Sequence, residues 1–215
     1  LSLNLMKLKV CGLKHQSNIE ELMNAKIDYL GFIFYKKSSR YIDDSISFDF
    51  VRQIPKQIQK VGVFVNETAD NILNTVAHYN LDVAQLHGDE SEKLCEELKP
   101  YVTIIKACRI HDHFDFTTLE KYLPHVNFFL FDTDTKTYGG SGQQFNWELL
   151  NQYTYNKPFF LSGGIDDSSI KQLQQFNHPQ LHAIDINSKF EISPALKDVK
   201  KIKQFIQTIY TDDNN

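Results

Sequence analysis

The sequence predicts an α/β protein, a single (β/α)8 TIM barrel. Three observations carry that prediction. Short runs rich in β-branched and aromatic residues alternate with helical patterns along the whole chain. Eight such strand–helix units recur at a spacing of about 25 residues, as a β/α barrel requires. No linker or shift in composition interrupts the 215 residues, a length at which such a barrel remains one domain.

The elements follow in order. LKVCG, residues 8–12, is the first strand. SNIEELMNA comes next, with Ile19, Leu22 and Met23 at i, i+3 and i+4 and a Ser17-x-x-Glu20 pattern that predicts a capping box. YLGFIF, 29–34, is the second strand, and a helix near 47–54 is stopped by Pro55. KVGVFV, 60–65, precedes a helix with Ile72, Leu73, Val76 and Ala77 on one face. DVAQLH, 82–87, precedes a helix carrying Leu94, Cys95 and Leu98 that stops at Pro100. VTIIKAC, 102–108, leads to a weaker helix at about 114–122. NFFLFD, 127–132, leads to the glycine-rich TYGGSGQQ and then NWELL. PFFLS, 158–162, is followed by GGI and a helix with Ile170 and Leu173. LHAIDI, 181–186, is the eighth strand, and Val199, Ile202, Phe205, Ile206 and Ile209 stripe the last helix. The barrel is expected to span 6–210, with 1–5 upstream of the natural start or added to it and 211–215 a polar tail.

Composition narrows the function. Lys and Arg total 23 against 27 Asp and Glu, so no basic excess exists to neutralise nucleic acid. No run of 18 apolar residues predicts a membrane span, and the N-terminus lacks a cationic region before its apolar stretch, so no signal peptide is expected. Three cysteines without a CxxC pair predict reduced thiols and a cytoplasmic protein.

The active site of this fold lies at the C-terminal strand ends. The polar groups expected there are Cys11, Arg40, Gln85, His87, Cys108, Asp132, the glycines of 139–142, Gly163, Gly164 and residues 185–188. SGGI after strand seven and DINSK after strand eight predict a phosphate cradle, because glycine lets backbone N–H groups approach an anion at the usual phosphate loops of the fold. Cys11 and Asp132 would stand across the mouth as a thiol and a carboxylate, an acid–base pair suited to isomerising a sugar. Each also has a plain alternative, Cys11 as a small buried hydrophobe and Asp132 as a cap or solvated loop residue.

Taken together, KVCG (9–12), Ser39-Arg40 after GFIF, VGVFVN (61–66), QLHG (85–88), FLFD (129–132), GGSGQQFNW (139–147), LSGGI (161–165) and AIDINSKFEISPALKD (183–198) resemble the phosphoribosylanthranilate isomerase family in the family's order. The resemblance implies an Amadori rearrangement of a phosphoribosyl aryl amine, with Cys11 as general base at C2 and Asp132 as general acid at the furanose oxygen. It implies Arg40 on the anthranilate carboxylate, Asp185 near the amine, and phosphate bound around Gly140, Gly142, Gly163, Gly164, Asn187 and Ser188. It implies no metal or organic cofactor and a small phosphosugar as partner; the composition of the barrel makes a monomer the default expectation, with a homodimer as the alternative. The segment 138–144 is the expected lid, anchored by Phe145 and Trp147. Three departures from the family pattern stand out: Ser38-Ser39 before Arg40, Lys189 after Ser188 where a glycine is usual, and Ala195 after Pro194 where a glycine is usual.

Two rival readings are a histidine-pathway isomerase, disfavoured by Cys11 and by the lack of a half-to-half repeat, and a catalytically silent phospholigand-binding barrel. His111-Asp112-His113 reads as a solvated loop, Cys95 as core, and Lys200, Lys201 and Lys203 as a solvated helix face.

Overall fold

The computed structural model describes residues 6–43, 45–133 and 145–210. Its strands are β1 (Lys7–Val10), β2 (Tyr29–Ile33), β3 (Gln59–Phe64), β4 (Val83–Leu86), β5 (Thr103–Ile110), β6 (Phe128–Thr133), β7 (Phe159–Leu161) and β8 (Leu181–Ile186). They pair in sequence order, all parallel, and β8 closes onto β1, so the barrel itself has no open sheet edge.

Side chains alternate along each strand, and the two faces bury different things. Outward residues such as Leu8, Val10, Leu86, Phe129 and Phe131 pack against the surrounding helices. Inward residues Tyr29, Val61, Val83, Ile105, Leu130, Phe160 and Ala183 fill the barrel. Phe160 meets Tyr29 edge-on at 5.1 Å and Phe128 at 5.5 Å, and Tyr29 Oη lies 2.8 Å from His182 Nε2. These aromatic residues make the floor.

Capping fixes where the outer helices start. Ser47, Thr68 and Ser91 accept from the backbone N–H groups of Phe50, Asn71 and Leu94, opening α2 (Phe48–Gln53), α3 (Ala69–Tyr79) and α4 (Glu92–Leu98). The capping box expected at Ser17 does not form. Helix α1 (Gln16–Met23) starts before Ser17, after His15, and Gln16 Nε2 donates to Glu20 Oε1 at 2.9 Å, so that carboxylate is engaged within the helix. The connections after β5 and β6 are 3₁₀ turns, Phe116–Tyr122 and Trp147–Gln152. After β7, a 3₁₀ turn (Asp167–Ser169) runs into the short α5 (Ile170–Gln175). Beyond β8, the chain makes a 3₁₀ turn (Ser188–Phe190) and a hairpin of β9 (Glu191–Ser193) and β10 (Leu196–Lys197) before α6 (Val199–Tyr210). The sequence pattern had not indicated that hairpin.

Candidate active site

Continuing the inward rows past the strand ends leads to a cleft at the barrel mouth. Its lining includes Cys11, Gln85, His87, Asp132, Ser162, Gly163, Gly164, Asp185, Asn187, Ser188 and Lys189. The thiol, the carboxylate and both predicted phosphate loops therefore share one cavity. Gly140 and Gly142, with the expected lid 138–144, lie outside the described residues; Phe145 and Trp147 beyond it are buried.

Cys11 is 4% exposed, and Gly31 on β2 makes room for it: a Cβ there would stand 2.8 Å from Sγ. Burial pushes the thiol above its ordinary value, while Lys9 pulls it back. Lys9 is fully buried, and its Nζ lies 2.9 Å from Asp185 Oδ2. Burial raises Asp185 towards the neutral acid, and Lys9 opposes that. Asp185 Oδ1 and Gln85 Oε1 are buried with no hydrogen-bond partner among the described residues.

Asp132 meets His87, whose Nε2 lies 3.5 Å from Oδ2. Gln85 Nε2 lies 2.8 Å from His87 Nδ1. An amide nitrogen only donates, so in this orientation Nδ1 accepts and the ring proton sits on Nε2, facing Asp132. Gly163, at φ +93°, packs against the end of β6: an added Cβ would collide with Thr133 Oγ1 and lie 2.9 Å from Asp132 Oδ1. Any side chain here would displace Thr133 and crowd the Asp132 carboxylate.

Arg40 stands at the rim, outside the cleft lining. Its Nε and Nη2 grip Glu191 at 2.8 and 2.7 Å, and this bond holds the guanidinium charged. Lys197 Nζ joins Glu191 Oε1 at 2.6 Å and Asn187 Oδ1 at 2.7 Å. Burial disfavours the Glu191 charge, yet Arg40 and Lys197 keep its carboxyl below the ordinary value. This network joins the loop after β2 to the loop after β8. Lys189 needs no left-handed backbone, because the 3₁₀ turn takes it at negative φ. Ala195 adopts φ +70°, the conformation a glycine would take without strain.

Other expectations divide. Cys108, expected among the polar groups of the site, does not line the cleft: it alternates with inward Ala107 and faces the outer core. Cys95 is buried in that core, and His111, Asp112 and His113 are exposed. Lys201 is more than a solvated lysine, since its Nζ donates to Lys189 O at 2.8 Å and lies 3.4 Å from Asp167, tying loop eight to loop seven. Lys9 and Glu191 were not singled out from the sequence. Strand parity carried a signal for Lys9, two residues before Cys11 on the same face; Glu191 had none.

The model of the family described as N-(5'phosphoribosyl)anthranilate (PRA) isomerase matches residues 8–208. A protein of Parabacteroides distasonis named N-(5'-phosphoribosyl)anthranilate isomerase is 42% identical over 209 residues, covering 95% of this chain and 93% of that one. The crystal structure of phosphoribosyl anthranilate isomerase from Thermotoga maritima aligns with TM-score 0.81 at 32% identity, covering 95% of this chain and 98% of its own. A phosphoribosyl anthranilate isomerase solved in complex with reduced 1-(o-carboxyphenylamino)-1-deoxyribulose 5-phosphate aligns with TM-score 0.79 at 30% identity and the same coverage. The chain belongs to the phosphoribosylanthranilate isomerase family and is an isomerase of tryptophan biosynthesis.

Proposed function

We propose that the cleft converts N-(5-phosphoribosyl)anthranilate to 1-(2-carboxyphenylamino)-1-deoxyribulose 5-phosphate, with Asp132 as acid and Cys11 as base. The observation that carries this reading is the opening of a thiol and a carboxylate, from strands β1 and β6, into one cavity beside two anion-suited loops. Asp132 protonates the furanose oxygen, and the ring opens to an iminium. Cys11, as thiolate, takes the proton from C2. The C–H electron pair flows into the C–N system, so the substrate's own nitrogen is the electron sink and the protein only moves protons.

The remaining groups hold the substrate. Gly163 and Gly164, with Asn187 and Ser188, take the phosphate through backbone N–H groups, and Lys189 adds charge at the rim. Arg40 takes the anthranilate carboxylate by its Nη1 side, since Glu191 holds the other edge. The buried, unpartnered Asp185 Oδ1 accepts from the substrate amine. The bound analogue of the relative at 30% identity carries these three features, carboxylate, amine and phosphate. The three free thiols suit the reducing cytoplasm.

Loss of substrate fluorescence tests the base. Cys11→Ala should lower kcat about 10²- to 10⁴-fold, the span for general-base loss, with KM nearly unchanged. Activity within a few-fold of the parent would remove Cys11 from that role.

A further inference from the structure

Lys9 lies beneath the cleft, outside its lining, and the proposed reaction leaves it without a task. It is fully enclosed one inward position below Cys11 on β1, because residues two apart on a strand share a face. The β1–β8 register sets it directly opposite Asp185, and its Nζ reaches Oδ2 at 2.9 Å. A well-packed apolar pair would serve stability at least as well as a buried ion pair, so stability does not account for Lys9. The partner of the pair is itself incomplete: Asp185 lines the cleft, and its Oδ1 is buried without a partner among the described residues.

We propose that Lys9 is a positioning residue that acts on two groups at once, holding the thiolate of Cys11 from below and, by gripping Oδ2, turning Asp185 Oδ1 into the cleft. The inference rests on Cys11 being the base. The thiolate takes the substrate proton with its own electron pair and becomes the neutral thiol, so the ammonium stabilises the reactant side of that transfer. Among the described residues, four charged groups bear on the thiol: Lys9 on its own strand, Asp185 on β8, Lys197 on the hairpin and Arg40 after β2. Burial and Asp185 disfavour the thiolate, whereas Lys9 and Lys197 favour it. Lys9 and Asp185 therefore pull the same thiol in opposite directions although they are bonded to each other.

That opposition separates electrostatic control from structural support. Iodoacetamide labelling of Cys11 in the free enzyme, followed against pH by mass spectrometry of its peptide, reads the thiolate without turnover. Lys9→Met should move the labelling midpoint up by about one pH unit or more, a tenfold loss of thiolate at a given pH. Asp185→Asn should move it down, and Lys9→Arg should stay near the parent. Should Lys9→Met fail to fold, the double variant Lys9→Met/Asp185→Asn, compared with Asp185→Asn, should show the same upward move. Midpoints that stay put, or that move the same way in Lys9→Met and Asp185→Asn, overturn the inference and leave the Cys11 reading standing. Midpoints that move as expected while Cys11→Ala keeps activity within a few-fold of the parent support the hold of Lys9 on the thiol and remove Cys11 as the base.

Discussion

The floor and the mouth of this barrel are built from the same strands and obey opposite rules. In the floor, Tyr29, Phe128 and Phe160 interlock, and the polar atoms there find each other, Tyr29 Oη with His182 Nε2 at 2.8 Å. In the mouth, Asp185 Oδ1 and Gln85 Oε1 are equally buried and unpartnered among the described residues. An unsatisfied buried acceptor costs about 1–3 kcal/mol, so its retention points to a donor arriving with a ligand. The difference teaches that burial alone does not mark a residue as structural in this fold. Two positions along a strand separate a group packed inside the barrel from a group that lines the cleft: Phe160 and Ser162, or Leu130 and Asp132, are such pairs.

The contrast breaks first, and most strongly, at the floor. Phe160→Ala removes a fully buried ring and should cost about 3–5 kcal/mol of stability, read by urea denaturation. At temperatures where the variant remains folded, kcat/KM should stay within a few-fold of the parent. A variant of parent stability but low activity would reverse the assignment of floor and mouth.

A smaller effect sharpens the comparison through pH. Burial depresses His182 to about 4, with nearby Lys7 adding to the shift. An unfolded histidine titrates near 6.5. Between those values the unfolded chain binds a proton that the folded one does not, so stability is full above about 6.5 and falls as pH drops towards 4. His182→Gln should flatten the loss of Tm between pH 7 and pH 5. An unchanged slope would assign the acid sensitivity to other groups.

The smallest effect lies outside both layers. Ala195 holds φ +70°, where a Cβ is strained by roughly 1–2 kcal/mol. Ala195→Gly should relieve part of that strain while adding freedom to the unfolded chain, a net gain of at most about 1 kcal/mol. A fall in Tm would mean that the Ala195 methyl contributes packing that outweighs its backbone cost.

Much of this arrangement was legible in the sequence, because a barrel is written in local signals. Strand runs, their spacing and the glycines of LSGGI each depend on a few neighbouring residues. The place of Cys11 and Asp132 in one cleft was legible because strand ends form the mouth where this fold keeps its chemistry. Parity would have gone further, assigning Lys9 to the inside with Cys11, and Cys108 to the outside opposite in sense to Ala107. The Arg40–Glu191–Lys197 network was not legible. It joins residues more than 150 positions apart along the chain through a hairpin with no periodic signature. The capping pattern at Ser17 misled for a related reason: Gln16 Nε2 competes for the same Glu20 carboxylate.

If Asp132 and Cys11 move the protons at the mouth while other groups hold the substrate, Asp132→Asn should separate the two tasks, because it keeps the shape and removes the acid. Turnover and the affinity for reduced 1-(2-carboxyphenylamino)-1-deoxyribulose 5-phosphate should be measured on the same preparation across pH. The kcat should fall about 10²-fold or more at every pH, with Kd for the analogue within a few-fold of the parent. Substantial turnover by Asp132→Asn would contradict this and assign the acid to another group in the cleft.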